Sequence, residues 1–455
     1  MSLRLQSLTL AIASISFASA AQAAGLDRST QPSWGFTQDG TFAYIERITI
    51  DPSITGKDNA ATTPSPTTYK EGRDTNNMAL NYDFINYGAK ADVNDKVSVG
   101  VFFDQQWGAD VEFTGNNNFV NGTEQAALAA KAAKAAAAKA AAAAYQADPT
   151  NQILDYTAQQ AGAAYNIASN IAQHPNEGTN ASVDSKNFTG LVGVKFGEKN
   201  NWQVYGGPVL QKLEGEVHLR GTAYNSTQGY DGIFAQSNGY GWMAGLAYSK
   251  PEIALKAALT YRSEIDHDTV AYEYMPATGE SGSYDMTITT PKSVNVDFQT
   301  GLNPTTLLTA KLRWVPWSDF SIKPPLYNAT TKKATGADFK PLYPNGLNLI
   351  DYSDDGWAAE VGLGKKLSNQ WAVSGSVGWD SGAGDPTTTL GPVEGHWNVG
   401  LGAKYNVTPE VAVSAGVKYL MFGDAKSKIP NGDLVGDFQN NDAWIYGLRL
   451  TYQKK

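Results

Sequence analysis

The chain has 455 residues, 35 Lys and Arg against 44 Asp and Glu, a net charge of −9 and no cysteine. An acidic balance excludes a basic nucleic-acid interface, and an exported chain without cysteine has no disulfide framework. With 45 Gly, 23 Tyr and 11 Trp and a mean hydropathy of −0.34, the composition suits strands that are apolar on one face only.

The chain opens on an export signal. Arg4 supplies the positive start, residues 8–17 an apolar run, and Ala21-Gln22-Ala23 a small-residue cleavage site. Residues 1–23 therefore read as a leader, and a mature chain beginning at Ala24 carries one base fewer, a net charge of −10.

Fourteen strands are expected next, at 42–51, 78–91, 96–113, 185–197, 201–220, 239–250, 252–270, 284–300, 305–322, 355–367, 370–382, 394–406, 410–424 and 439–452. The connections at 93–96, 197–201, 301–304, 367–370 and 406–409 are tight, and those between them are long. Short inner turns and long outer loops produce this rhythm in outer-membrane barrels. The last strand carries Trp444, Tyr446, Leu448, Leu450 and Tyr452 on one face and Gly447, Arg449 and Thr451 on the other. By the same parity Trp371, Val373, Val377 and Trp379 face lipid, as do Trp397, Val399, Leu401 and Tyr405, with aromatic residues at the strand ends where an interfacial girdle belongs. The fold class is all-β: a transmembrane antiparallel barrel of about fourteen strands over residues 42–452, multi-pass in the outer membrane of a Gram-negative bacterium. A soluble β-sandwich would share the alternation but not the leader.

The longest outer loop, 114–184, holds an alanine-lysine tract at 124–147 with high helix propensity, capped by Thr123. Asp148 is expected to cap a second helix with Pro149 at its first position, and Leu154, Ala158, Ala161, Tyr165 and Ala168 form its apolar stripe. A helical hairpin on the outer face follows, either a lid or an inserted low-complexity segment that the loop tolerates.

Catalytic and metal signatures are missing. The four histidines, His174, His218, His267 and His396, form no H-E-x-x-H site, and there is no G-x-S-x-G elbow, Walker loop or G-x-G-x-x-G fingerprint. The chain reads as no enzyme, with no cofactor and no metal. Parity instead turns bases inward, at Lys195, Lys256, Arg262, Lys311, Arg313, Lys404, Lys418 and Arg449, against the acids Glu264, Asp266, Asp297 and Glu360. Such a lumen attracts a carboxylate, or else joins Arg262 to Glu264 or Asp266 in a solvated network.

Five segments in order, Ile50-Asp51-Pro52 through Thr55-Gly56, Trp107-Gly108-Ala109-Asp110, Leu259-Thr260-Tyr261-Arg262-Ser263-Glu264, Trp314 with Trp317-Ser318-Asp319-Phe320, and Ala443-Trp444 with Gly447, resemble the FadL-type outer-membrane long-chain fatty acid transporters. That family includes channels for aromatic hydrocarbons. The resemblance implies a monomeric barrel with an amino-terminal plug, hydrophobic cargo captured outside, and sideways release through a gap made by a kinked strand. Residues 24–41 then stand for the plug, about half the length expected, with Asp27-Arg28-Ser29 as a polar tether and Trp34 and Phe36 as apolar stoppers.

The expected function is passive transport of a hydrophobic small molecule, a long-chain fatty acid first, across outer-membrane lipid. A general diffusion porin and a structural or adhesive barrel are the alternatives. Ligand contact is expected from Arg262, Lys311, Arg313, Trp314, Trp317 and Phe320, and gating from Asp51, Pro52, Pro316, Trp34 and Phe36. Pro316, unable to donate to a ladder, is expected to kink its strand.

Overall fold

The computed structural model describes residues 26–28 and 32–454. The expected leader lies outside the described residues, as does Ser29. One sheet closes on itself, β1 against β14, in register from Thr41 opposite Lys454 to Ser53 opposite Asp442. Its strands are β1 (Thr41–Ser53), β2 (Tyr82–Asp92), β3 (Val97–Asp104, resuming at Gly108–Glu112), β4 (Asn180–Phe196), β5 (Trp202–His218), β6 (Asp231–Lys250), β7 (Leu255–Arg262, resuming at Ile265–Met275), β8 (Glu280–Thr290, resuming at Ser293–Asn303), β9 (Thr306–Val315), β10 (Gly356–Lys366), β11 (Trp371–Asp380), β12 (Glu394–Asn406), β13 (Val411–Gly423) and β14 (Asp442–Lys454). Every pairing of the barrel is antiparallel, and closure leaves no strand edge for lipid to meet. No described helix is long and apolar enough to cross a membrane.

The outward faces follow the parity of the sequence. Trp371, Val377, Trp397, Leu401, Tyr446 and Leu448 are all exposed, while the residues between them turn inward. Three strands break this alternation. On either side of each break the inward residues are three apart instead of two: Asp104 and Trp107, Arg262 and Ile265, Thr290 and Ser293, all buried. An odd step swaps the faces, so beyond Arg262 the even-numbered residues look outward. Glu264 and Asp266 are accordingly exposed, bonded to Lys292 and Thr289, and neither joins Arg262 in the lumen.

Pro316 does not kink a strand. β9 ends at Val315, and Pro316 opens a single 3-10 turn at Trp317–Asp319, its carbonyl accepting from Asp319 N at 3.2 Å. The expected strand over 305–322 is thus cut short, and the rest of it enters a long outer loop that carries a helix at Pro325–Lys332. The hairpin expected in the longest loop is present as Glu124–Ala147 packed on Gln152–Ile171, the first capped by Thr123. The second is capped by Asn151 and not by Asp148, because Asp148 ends the preceding helix and its carboxylate accepts from Thr150. Smaller strands of the outer loops, Gly56–Asn59, Glu71–Asp74, Ala425–Lys428 and Leu434–Phe438, form a second sheet with Thr387–Thr388.

Inside the barrel lies a helical turn, α1 (Ser33–Phe36). Phe36 is fully buried between Phe102 and Tyr205, with ring centroids 6.3 and 5.3 Å away. Gly193 makes room for it, since a Cβ there would stand 2.7 Å from the Phe36 ring. The inner face of β1 is correspondingly apolar, with Phe42, Tyr44, Ile48 and Ile50 buried, because it packs against protein and not against water.

Candidate functional site

The site begins at the break in β3. Leu26, Asp27 and Arg28 run antiparallel to it: Arg28 N donates to Gln106 O at 2.6 Å and Gly108 N donates to Leu26 O at 2.8 Å. Across the break, Ser185 of β4 accepts from Trp107 N at 2.8 Å and donates to Trp107 O at 2.7 Å. The backbone groups released by the interruption are thereby satisfied from both sides. Burial raises the Asp27 carboxyl above its ordinary range, against the pull of the Arg313 guanidinium beside it.

Next to this break lies an apolar pocket. The amino-terminal segment and β3 contribute Leu26 and Trp107, β4 to β6 contribute Val183, Leu213, Val217 and Phe234, and the β9–β10 loop contributes Trp317, Phe320, Ile322 and Ile350. The rings interlock edge to face: Trp317 stands 5.3 Å from Trp107, 5.6 Å from Phe320 and 5.4 Å from Tyr352. Of the charged residues only Glu214 and Glu216 lie along it, both exposed, and no Lys or Arg lines it among the described residues. The loop is anchored by Glu273 of β7, whose buried carboxylate accepts from Leu326 N and Tyr327 N at the start of the Pro325–Lys332 helix, both at 2.9 Å, where the helix dipole favours an anion. Tyr230 donates to the same carboxylate at 2.9 Å, and burial raises its hydroxyl well above the ordinary range, so it stays a neutral donor.

Several of the inward bases already hold acids. Arg449 pairs with Glu46 at 2.5 Å under the Trp34 ring, Lys418 with Glu360 at 2.5 Å, Arg313 with Asp27 at 2.6 Å, and Arg262 with Asp104 at 3.7 Å. Lys311 lies in register between Asp297 of β8 and Glu360 of β10. From Asp104 a hydrogen-bonded row runs through Asn187 and Gln211 to His267. Gln211 Oε1 can only accept, so the His267 Nε2 facing it carries the hydrogen. Glu46 and Asp104 are not among the acids expected inside, and Asp27 is expected there only as part of the polar tether, without its partner Arg313.

Of the residues expected at the ligand, Trp317 and Phe320 line the apolar pocket. Arg313 is not in that lining, though its guanidinium stands 5.7 Å from the Trp107 ring, and Arg262 and Lys311 belong to the charged lumen. Trp314 is not with them. It shares the outward parity of Leu312, packs tilted against exposed Trp357 with ring centroids 6.3 Å apart and donates to Asp355 at 3.0 Å. Of the expected gating residues, Trp34 and Phe36 sit in the lumen, whereas Asp51 and Pro52 end β1 beside Trp444 and Ala443.

Comparison with known proteins adds the family. Residues 39–453 match the model of the outer membrane protein transport proteins, OMPP1/FadL/TodX. Among curated proteins none matches the chain in sequence. Solved structures that share the fold include a Pseudomonas aeruginosa FadL homologue, 14% identical over 97% of this chain and 99% of that one with a TM-score of 0.62, and the P. putida toluene transporter TodX, 11% identical over 98% of each with a TM-score of 0.54.

Proposed function

Because the chain belongs to the outer membrane transport proteins that include FadL and TodX, we propose that it carries hydrophobic compounds passively across the outer membrane. The observation that supports this is the apolar pocket against the β3 break. An apolar body gains about 0.8 kcal/mol for each methylene moved from water into such a lining. A cargo held by its body alone needs no counter-charge, and no Lys or Arg lines the pocket among the described residues. We therefore favour an uncharged hydrocarbon skeleton as the core of the cargo. A long-chain fatty acid is the second reading: its chain suits the same lining, but Arg262 and Arg313, two of the bases expected at the ligand, are already bonded to Asp104 and Asp27. The segment at 26–28 and 32–40 acts as the plug of a single-chain barrel, which distinguishes this reading from an open porin.

The test is uptake of labelled alkylbenzene and labelled long-chain fatty acid by cells lacking their own importers, with and without this chain, together with bilayer conductance of the purified protein. Restored uptake with little conductance is expected. A large steady conductance without uptake of either compound would establish the porin instead.

A further inference from the structure

One polar atom in the wall of the apolar pocket has no partner. The Trp317 indole is 1% exposed, yet its Nε1–H donates to nothing among the described residues. Its surroundings account for this, since the nearest rings are Trp107, Phe320 and Tyr352, all packed at steep angles. The other polar side chains buried along the pocket are occupied: Ser237 reaches His267, Thr269 donates to Ala235 O at 2.6 Å, and Thr290 donates to Gln211 at 2.6 Å. A buried donor without an acceptor carries a desolvation cost that an occupant with a lone pair removes.

We propose that Trp317 Nε1–H is a specificity-determining donor, and that the preferred cargo is a hydrophobic molecule bearing one hydrogen-bond acceptor, such as an aryl or alkyl ketone, ester or ether. This rests on the apolar pocket being the cargo site. The chemistry selects an uncharged acceptor, because one indole donor without a cation does not replace the hydration of a carboxylate. A pure hydrocarbon fills the same space but leaves the donor unsatisfied.

The experiment compares acetophenone with ethylbenzene, which differ by a carbonyl in place of a methylene, as ligands of the purified full chain in detergent and as cargo in cells. Wild type is expected to bind acetophenone about five- to tenfold more tightly than ethylbenzene after correction for their partition into detergent, the worth of one neutral hydrogen bond. Trp317→Phe keeps an aromatic ring and removes the donor, and should bring the two ligands level. An equal response of both ligands to the substitution, or no preference in wild type, overturns the donor while the pocket reading stands. Failure of both ligands to bind overturns both. A Trp317→Leu variant, with neither ring nor donor, separates loss of packing, which weakens both ligands, from loss of the hydrogen bond, which weakens only acetophenone.

Discussion

Asp27 and Arg313 are 286 positions apart in the chain, and the guanidinium Nε of one donates to the carboxylate of the other at 2.6 Å. The pair ties the amino-terminal segment to β9 on the opposite side of the lumen from the β3 backbone that the same segment bonds. Removing one member of a buried pair costs up to about 3–5 kcal/mol. Asp27→Asn should accordingly release the segment, raising the hydrogen-exchange rates of the Arg28 and Gly108 amides at least tenfold. Unchanged protection would mean that apolar contacts alone hold it.

Phe36→Ala removes the side chain that fills the space between Phe102 and Tyr205. Truncating a buried Phe costs about 3–5 kcal/mol, here charged to the local packing of α1. Single-channel recordings should show frequent openings in the variant against a nearly silent wild type. Silence in both would assign the block to some other part of the lumen.

Much of the barrel was legible because lipid imposes a strict alternation, and Trp444 to Tyr452 display it without interruption. Alternation alone gives the wrong face where successive inward positions are three apart. Nothing in Arg262-Ser263-Glu264-Ile265 marks that extra step: Ser263 supplies it by bonding Trp242 of β6 at both its backbone N and its hydroxyl. Glu46 was hidden for a different reason, as its neighbours on the inner face, Tyr44 and Ile48, look like a lipid-facing set until the segment they pack against is known. The apolar pocket draws on residues from 26 to 390, a convergence that spacing along the chain does not encode, although Trp317 and Phe320 were picked out as aromatic residues beside a luminal base.

Glu273→Gln should loosen the β9–β10 loop. The substitution keeps the shape but replaces a charged acceptor of two amides and one phenol, a loss of roughly 1.5–3 kcal/mol for bonds to a charged group. Exchange of the Leu326 and Tyr327 amides should rise by tenfold or more while the barrel strands keep their protection. Equal protection would leave the loop held by its buried rings.

Deletion of residues 123–172 should leave assembly and cargo uptake unchanged, since the pocket takes no lining from the hairpin and the loop ends stay joined by Asn121 donating to His174 O at 2.9 Å. Uptake reduced severalfold, with normal heat-modifiable migration on gels, would make the hairpin a collector of cargo.

The gap in β3 has a bearing on biogenesis. While a newly inserted chain has its amino terminus elsewhere, Gln106 O and Gly108 N are two rungs of the wall without the partners that the segment supplies. Hydrocarbon offers them nothing, so the segment is drawn in by the same force that zips β14 to β1. Sealing the wall and stopping the lumen are then one event in the maturation of this protein, and a molecule able to reopen one must also unfasten the other.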